Sequence, residues 1–157
     1  MIATAPEPTC HVCGIPADAS YFDDSSIAQP PDGNNREVVL AKYELHPNYC
    51  GELQYFAQFT DAFALTPAAV ETPDLEWQIR SDGQPLAPWL AFRRIINPWG
   101  LSGFPIHIRL KEGSLTELVV RFVRPDDIVL LSGLPPVTLV GGRLLGRFWY
   151  NTNFGGR

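Results

Sequence analysis

From Arg36 onward the chain alternates apolar and polar residues with a period of two, the pattern of strands that bury one face. Over Val38 to Leu45, Val39, Ala41, Tyr43 and Leu45 share one face, Val38, Leu40, Lys42 and Glu44 share the other, and His46-Pro47-Asn48 ends the run. Next, Leu53, Tyr55, Ala57 and Phe59 alternate with Glu52, Gln54, Phe56 and Gln58. This predicts a strand with the first set inward and Phe56 as an apolar exception on the polar side. Leu75, Trp77 and Ile79 alternate with Glu76, Gln78 and Arg80, and Ser81-Asp82-Gly83 turns the chain into a longer strand over 85–96, interrupted by Pro88.

Phe104, Ile106, Ile108 and Leu110 alternate with Pro105, His107, Arg109 and Lys111, and Lys111-Glu112-Gly113-Ser114 then leads into Leu115 to Arg124, predicting a hairpin. A second hairpin is expected from Val137 to Val140, Gly141-Gly142 and Arg143 to Tyr150, because paired glycines supply the positive φ angles of a two-residue turn. Thr66 to Glu71 reads as a short helical turn, with Thr66 as cap and Pro67 at the first helical position. Asn97-Pro98-Trp99-Gly100 reads as a turn. About eight short strands at this spacing, joined by connections too short for crossover helices, predict an all-β antiparallel β-sandwich. The jelly roll is one arrangement that fits, and the strand order stays open.

Residues 1–36 break the pattern. Pro6, Pro8, Pro16, Pro30 and Pro31 punctuate them, and DDSSIAQPPDGNN is polar and rich in turn formers. Apolar residues are too few and unperiodic there to offset the ordering entropy unaided. The expectation is an extended N-terminal arm over 1–36 and a β-sandwich domain over 37–157. The arm is either a loose terminus or a segment that orders against a neighbouring subunit.

Composition sharpens this picture. With 15 Pro and 13 Gly in 157 residues, long helices are disfavoured, and the length suits a single core. The net charge of −5, with no lysine-rich block, argues against nucleic-acid binding. The opening MIATAPEPT lacks the basic start and apolar run of a signal peptide, and no stretch approaches the ~18 apolar residues of a membrane span, so a cytosol-like compartment is expected. Three cysteines, an odd number, argue for thiols or metal ligands over a fully paired disulfide framework.

Cys10-His11-Val12-Cys13-Gly14 is the sharpest local pattern, since two thiolates two residues apart can grip one tetrahedral ion. His46 and Cys50 supply a His-x3-Cys pair, so Cys10, Cys13, His46 and Cys50 form a candidate closed structural zinc site, with His11 as a possible substitute ligand. Such an ion would staple the arm to the first β unit. The alternative is that Cys10 and Cys13 are plain thiols while His46 and Cys50 end a strand and fill core.

No catalytic residues are expected. None of the three histidines lies in a G-x-S-x-G or H-E-x-x-H motif, and His107 falls on the polar side of a strand. Glu117, Asp126 and Asp127 could serve as acid and base for glycoside cleavage but fit solvated charges better. The aromatics Trp77, Trp89, Trp99 and Trp149, with Tyr55, Phe56, Phe148 and Tyr150, suit a core or a subunit contact, the alternative being exposed rings that stack on sugars. The closing stretch to Phe154 places aromatics on both faces of a strand, as a buried subunit contact would.

At HPNYCGELQYFAQFTDAF (46–63), LEWQIRSDGQPLAPWLAFRRIINPWG (75–100) and LVGGRLLGRFWYN (139–151) the chain resembles small virion structural proteins of tailed bacteriophages. The resemblance covers residues 40–151 and lends nothing to the zinc set. It implies a non-enzymatic β-sandwich that decorates or cements a capsid lattice, or a piece of the neck, tail or baseplate. The implied partners are the major capsid protein or other virion subunits, within a homo-oligomeric assembly built in the host cytoplasm. A carbohydrate-binding module and a zinc-stabilised cellular interaction domain are the alternatives from other classes.

Overall fold

Alternating runs need a second apolar layer to cover their inward faces, and in the computed structural model they find it in one another. The residues described are 14–31, 36–60, 75–87, 104–122 and 138–151. They form eight strands: β1 (Ser20–Ala28), β2 (Glu37–Glu44), β3 (Tyr49–Thr60), β4 (Leu75–Ser81), β5 (Gln84–Pro85), β6 (Phe104–Leu110), β7 (Leu115–Phe122) and β8 (Val140–Tyr150). One antiparallel sheet has the order β1-β8-β3-β6 and the other β2-β7-β4-β5, a β-sandwich as expected.

The pairing is nested, first strand with last, second with seventh, third with sixth and fourth with fifth. Folding such a nest over on itself gives the jelly roll. Only β4 and β5 follow one another within a sheet; every other connection crosses between the layers. Leu40, Leu53, Phe56, Trp77, Ile79, Leu118 and Leu144 form the heart of the core between the sheets.

This topology corrects both predicted hairpins. β6 pairs with β3 and β7 with β2 and β4, so Lys111 to Ser114 forms an arch between sheets. Ser114, buried at the crossing, donates both its amide and its hydroxyl to the Lys111 carbonyl, at 3.0 and 2.5 Å. An arch and a hairpin present the same alternation to the core, which is why the sequence pattern did not separate them. Gly141 and Gly142 likewise lie inside the continuous strand β8 rather than in a turn. A Cβ on Gly142 would stand 2.6 Å from Leu118 and 2.9 Å from Leu40 of the facing sheet, so glycine serves close approach there. The genuine two-residue turn is Asp82-Gly83, both at positive φ, between β4 and β5.

Two β-bulges correct the predicted faces. In β2 the register shifts between Val39 and Ala41, so Leu40 and Ala41 are both buried while Val39 is exposed. In β3 it shifts between Leu53 and Tyr55, which turns Phe56 into the core and Tyr55 and Phe59 outward. An inserted residue reverses the two-residue phase beyond it.

A third difference concerns residues 1–36, within which Ser20–Ala28 is a full edge strand paired with β8. Its inward positions read Ser20, Phe22, Asp24, Ser26 and Ala28, almost without apolar side chains. The reason is that Asp24 and Ser26 bond to backbone instead of core: Lys42 N donates to Asp24 Oδ2 at 2.8 Å, and Ser26 Oγ to the Leu40 carbonyl. Phe22 fills the space over Gly146, stacking on Tyr43 of the facing sheet at 3.8 Å between ring centroids. The predicted helical turn at Thr66 to Glu71, most of the predicted strand over 85–96 and the turn at Asn97 to Gly100 lie outside the described residues.

Candidate functional site

The outer face of the β1-β8-β3-β6 sheet carries the arrangement with the most chemistry. Cross-strand register places Tyr21, Arg147, Glu52 and Arg109 in one straight row over all four strands, on the side turned away from the core. Glu52 is the centre, its side chain only 6% exposed although it faces outward. Arg109 Nε lies 3.2 Å from Glu52 Oε2, and His107 Nδ1 lies 3.2 Å from Oε1. Each arginine also sits over an aromatic ring, Arg109 over Trp149 at 5.3 Å and Arg147 over Tyr21 at 4.9 Å.

Residues 14–19 cross this row as a strap. Arg147 Nη2 donates to the Ala19 carbonyl at 3.2 Å, and the Cβ position of Gly14 comes within 3.9 Å of Arg109 Nη2. Ile15 is 1% exposed yet stands apart from the inter-sheet core cluster, and Pro16 and Ala19 are buried too. The row therefore holds down a covering segment. Both Glu52 oxygens have partners, Arg109 on one and the His107 ring on the other, an arrangement that fixes the row in place.

At the other end of the same face, Ile27, Gly141 and Phe59 are direct cross-strand neighbours in a second row. With no side chain on Gly141, a groove of about 510 Å³ opens between β1 and β3, lined by Ser25, Ile27, Ala57, Phe59 and Arg143 among others. Ile27 and Phe59 stand 65% and 42% exposed on its walls. Arg143 is tied to Asp23 by two hydrogen bonds of 2.7 and 2.5 Å, and the guanidinium holds the Asp23 carboxyl below its usual range.

The second sheet carries a polar chain on its outer side. Arg80 grips Glu37 with two bonds of 2.8 and 2.7 Å, which lowers the Glu37 carboxyl below its usual range. Arg80 Nε donates to Gln78, Gln78 to the buried Glu76, and Arg121 Nη2 lies 2.6 Å from the same Glu76 oxygen. Burial pushes the Tyr43 hydroxyl up, with Tyr49 adding to the effect.

The predicted site residues fall as follows. Cys10, His11 and Cys13 lie outside the described residues. His46 is exposed at the turn before β3, where Tyr49 N donates to its carbonyl at 3.3 Å, and Cys50 is a half-buried free thiol opposite Trp149. Among the described residues no group of three or more His, Cys, Asp and Glu is placed to hold a metal. Glu117 stands opposite Lys42 and Arg80, while Asp126 and Asp127 lie outside the described residues, as do Trp89, Trp99 and Phe154. Trp77 and Phe56 are core, Phe148 packs against it, and Tyr150 is exposed. Sequence reading missed Glu52, Arg109, Arg147 and Ile15; the one local signal was an isoleucine beside proline in an otherwise polar segment. No helix among the described residues is long and apolar enough to cross a membrane.

No family model, curated protein or solved structure matches the chain.

Proposed function

We propose that the protein is a non-enzymatic structural component of a phage particle, a capsid decoration or cement protein that binds the capsid lattice. The observation that carries this reading is the outer face just described. Tyr21, Ile27, Tyr55 and Phe59 are all exposed on one side of one sheet, a surface suited to burial against other subunits. The sequence resemblance points the same way, and jelly rolls serve in viral capsids among other settings, although a fold alone assigns no function.

Co-sedimentation with phage particles tests the reading. The full chain is expected to pellet with the particle, and a truncation that removes residues 1–13 to bind more weakly while still folding. A deletion reaching residue 28 would be uninformative, since it removes β1. A protein that stays in the supernatant with every particle tried overturns the proposal, and sedimentation with isolated tails or necks relocates it within the virion.

Jelly rolls also serve as lectin domains, and the exposed Tyr55 gives a sugar-binding reading one specific foothold. Against it, Trp149 and Tyr21 each have an arginine over the ring, and Trp77 is wholly buried. Quenching of tryptophan fluorescence by oligosaccharides would favour the lectin reading. The zinc set Cys10, Cys13, His46 and Cys50 remains a proposal beside both. Its support is that Gly14, next to Cys13, lies against Arg109 while Cys50 faces Trp149 beneath that same arginine.

A further inference from the structure

Deepening the assembly reading on which it rests, we infer that the glycine-floored groove between Ile27 and Phe59 receives residues 1–13 of a second copy of this chain, so that N-terminal segments link the copies. Three observations lead there.

First, this sheet face is built to be covered by extended chain. At one end Ile15, Pro16 and Ala19 already lie buried upon it, held by Arg147 and set beside Arg109. The other end offers a trough of about 510 Å³, with Ile27 and Phe59 as its walls and no side chain on the floor between them at Gly141. That volume lies within the range of ligand pockets, room for several small side chains. Met1-Ile2-Ala3-Thr4-Ala5-Pro6 has small and apolar residues of the kind the strap uses, with a proline that favours extended backbone.

Second, the described chain begins at the far end of the face from the groove. Traced backward from β1, it passes Arg147 and then the Arg109–Trp149 pair, and Trp149 lies two residues beyond Arg147 on the side away from Gly141. Along the strands the groove lies roughly 20 Å from the Tyr21 row, judged from the six steps from Tyr21 to Ile27 at ~3.3 Å each. To fill its own groove the segment would have to double back over that distance, whereas a neighbour's segment can enter running straight.

Third, the reach suffices for a neighbour. Thirteen extended residues span at most about 45 Å. Because segment and groove are different surfaces, each contact is heterologous in itself and can repeat from copy to copy, as a ring or lattice requires, while two copies exchanging segments reciprocally would close as a pair.

The test uses the full chain with a photo-crosslinking amino acid in place of Ile2, mixed with isotopically heavy copies lacking it. The expected result is light-to-heavy cross-links into the peptides bearing Ile27 and Phe59. Ile27→Glu and Phe59→Glu, both at exposed positions, should each lower that yield about tenfold without lowering the melting temperature. Light-to-light cross-links only, which would place the segment on its own copy, overturn the inference. So do cross-links that bypass the groove or survive both variants. If groove cross-links are absent but the protein still sediments with particles, this contact fails and the assembly reading stands. If they form and no particle binds, the contact stands and the virion reading fails.

Discussion

The Ser26 hydroxyl donates to the carbonyl of Leu40 at 2.5 Å, joining an edge strand of one sheet to the bulged residue of an edge strand of the other. A bulge leaves backbone groups without ladder partners, and β1 supplies the replacements: Ser26 for this carbonyl and Asp24 for the Lys42 amide. Two edges that would otherwise invite strand addition thus cap one another. Ser26→Ala should cost about 1 kcal/mol, a fall of roughly 2–4 °C in melting temperature for a chain of this size. An unchanged melt would show that the seam adds nothing to stability.

Gly146 and Gly83 are expected to respond differently to alanine. At Gly146 a Cβ would run into the Glu52 carbonyl and the Phe22 ring, in the middle of a central strand with backbone on one side. Gly146→Ala should therefore cost about 3 kcal/mol or more, as overpacking at its severe end does. At Gly83 nothing stands within 4 Å and only the positive φ of 76° is strained, so Gly83→Ala should cost about 1–2 kcal/mol. Urea denaturation of the pair measures the difference, and equal costs would contradict the packing around Phe22.

Acid should weaken the fold in a defined window. Asp23 and Glu37 are both held below their usual values of 3.8 and 4.5, first by hydrogen bonds from Arg143 and Arg80, so each stabilises the folded state while ionised. Their contribution is complete above the usual values and is lost as pH falls through the lowered ones. Both pairs are partly exposed, so together they amount to no more than about 1 kcal/mol after screening. Comparing denaturation at about pH 7 and about pH 3, the Asp23→Asn, Glu37→Gln double variant should lose less stability than the parent. An equal loss would place the acid sensitivity elsewhere.

Metal analysis decides the zinc proposal. Protein purified without chelator should carry zinc near one equivalent per chain, and Cys13→Ser should abolish it. A metal-free protein whose melting is indifferent to added zinc and to chelator would reduce the four residues to plain thiols and a surface histidine.

Where the alternation runs unbroken, the sequence named the buried face correctly: Leu75, Trp77 and Ile79 in β4, and Ile106 and Leu110 in β6. It went astray where one inserted residue reversed the phase, at Leu40 and beyond Leu53. It also misread Gly142, which makes room for Leu118 and Leu40, as part of a turn. β1 escaped notice because an edge strand that bonds its neighbour through Asp24 and Ser26 has little need of apolar alternation. The Tyr21-Arg147-Glu52-Arg109 row was beyond local reading altogether. Its members come from four strands, and only the register between those strands brings them into line.

The placement of β8 also sets an order of events. It lies between β1 and β3, and those two strands share no hydrogen-bonded ladder without it. During synthesis, then, β1 waits without a ladder partner and β3 with one edge unsatisfied until residues 140–150 leave the ribosome, and the first sheet closes around a late arrival. Contacts as distant in sequence as Asp23 to Arg143, 120 positions apart, make for slow closure, with exposed strands at risk of pairing with other chains meanwhile.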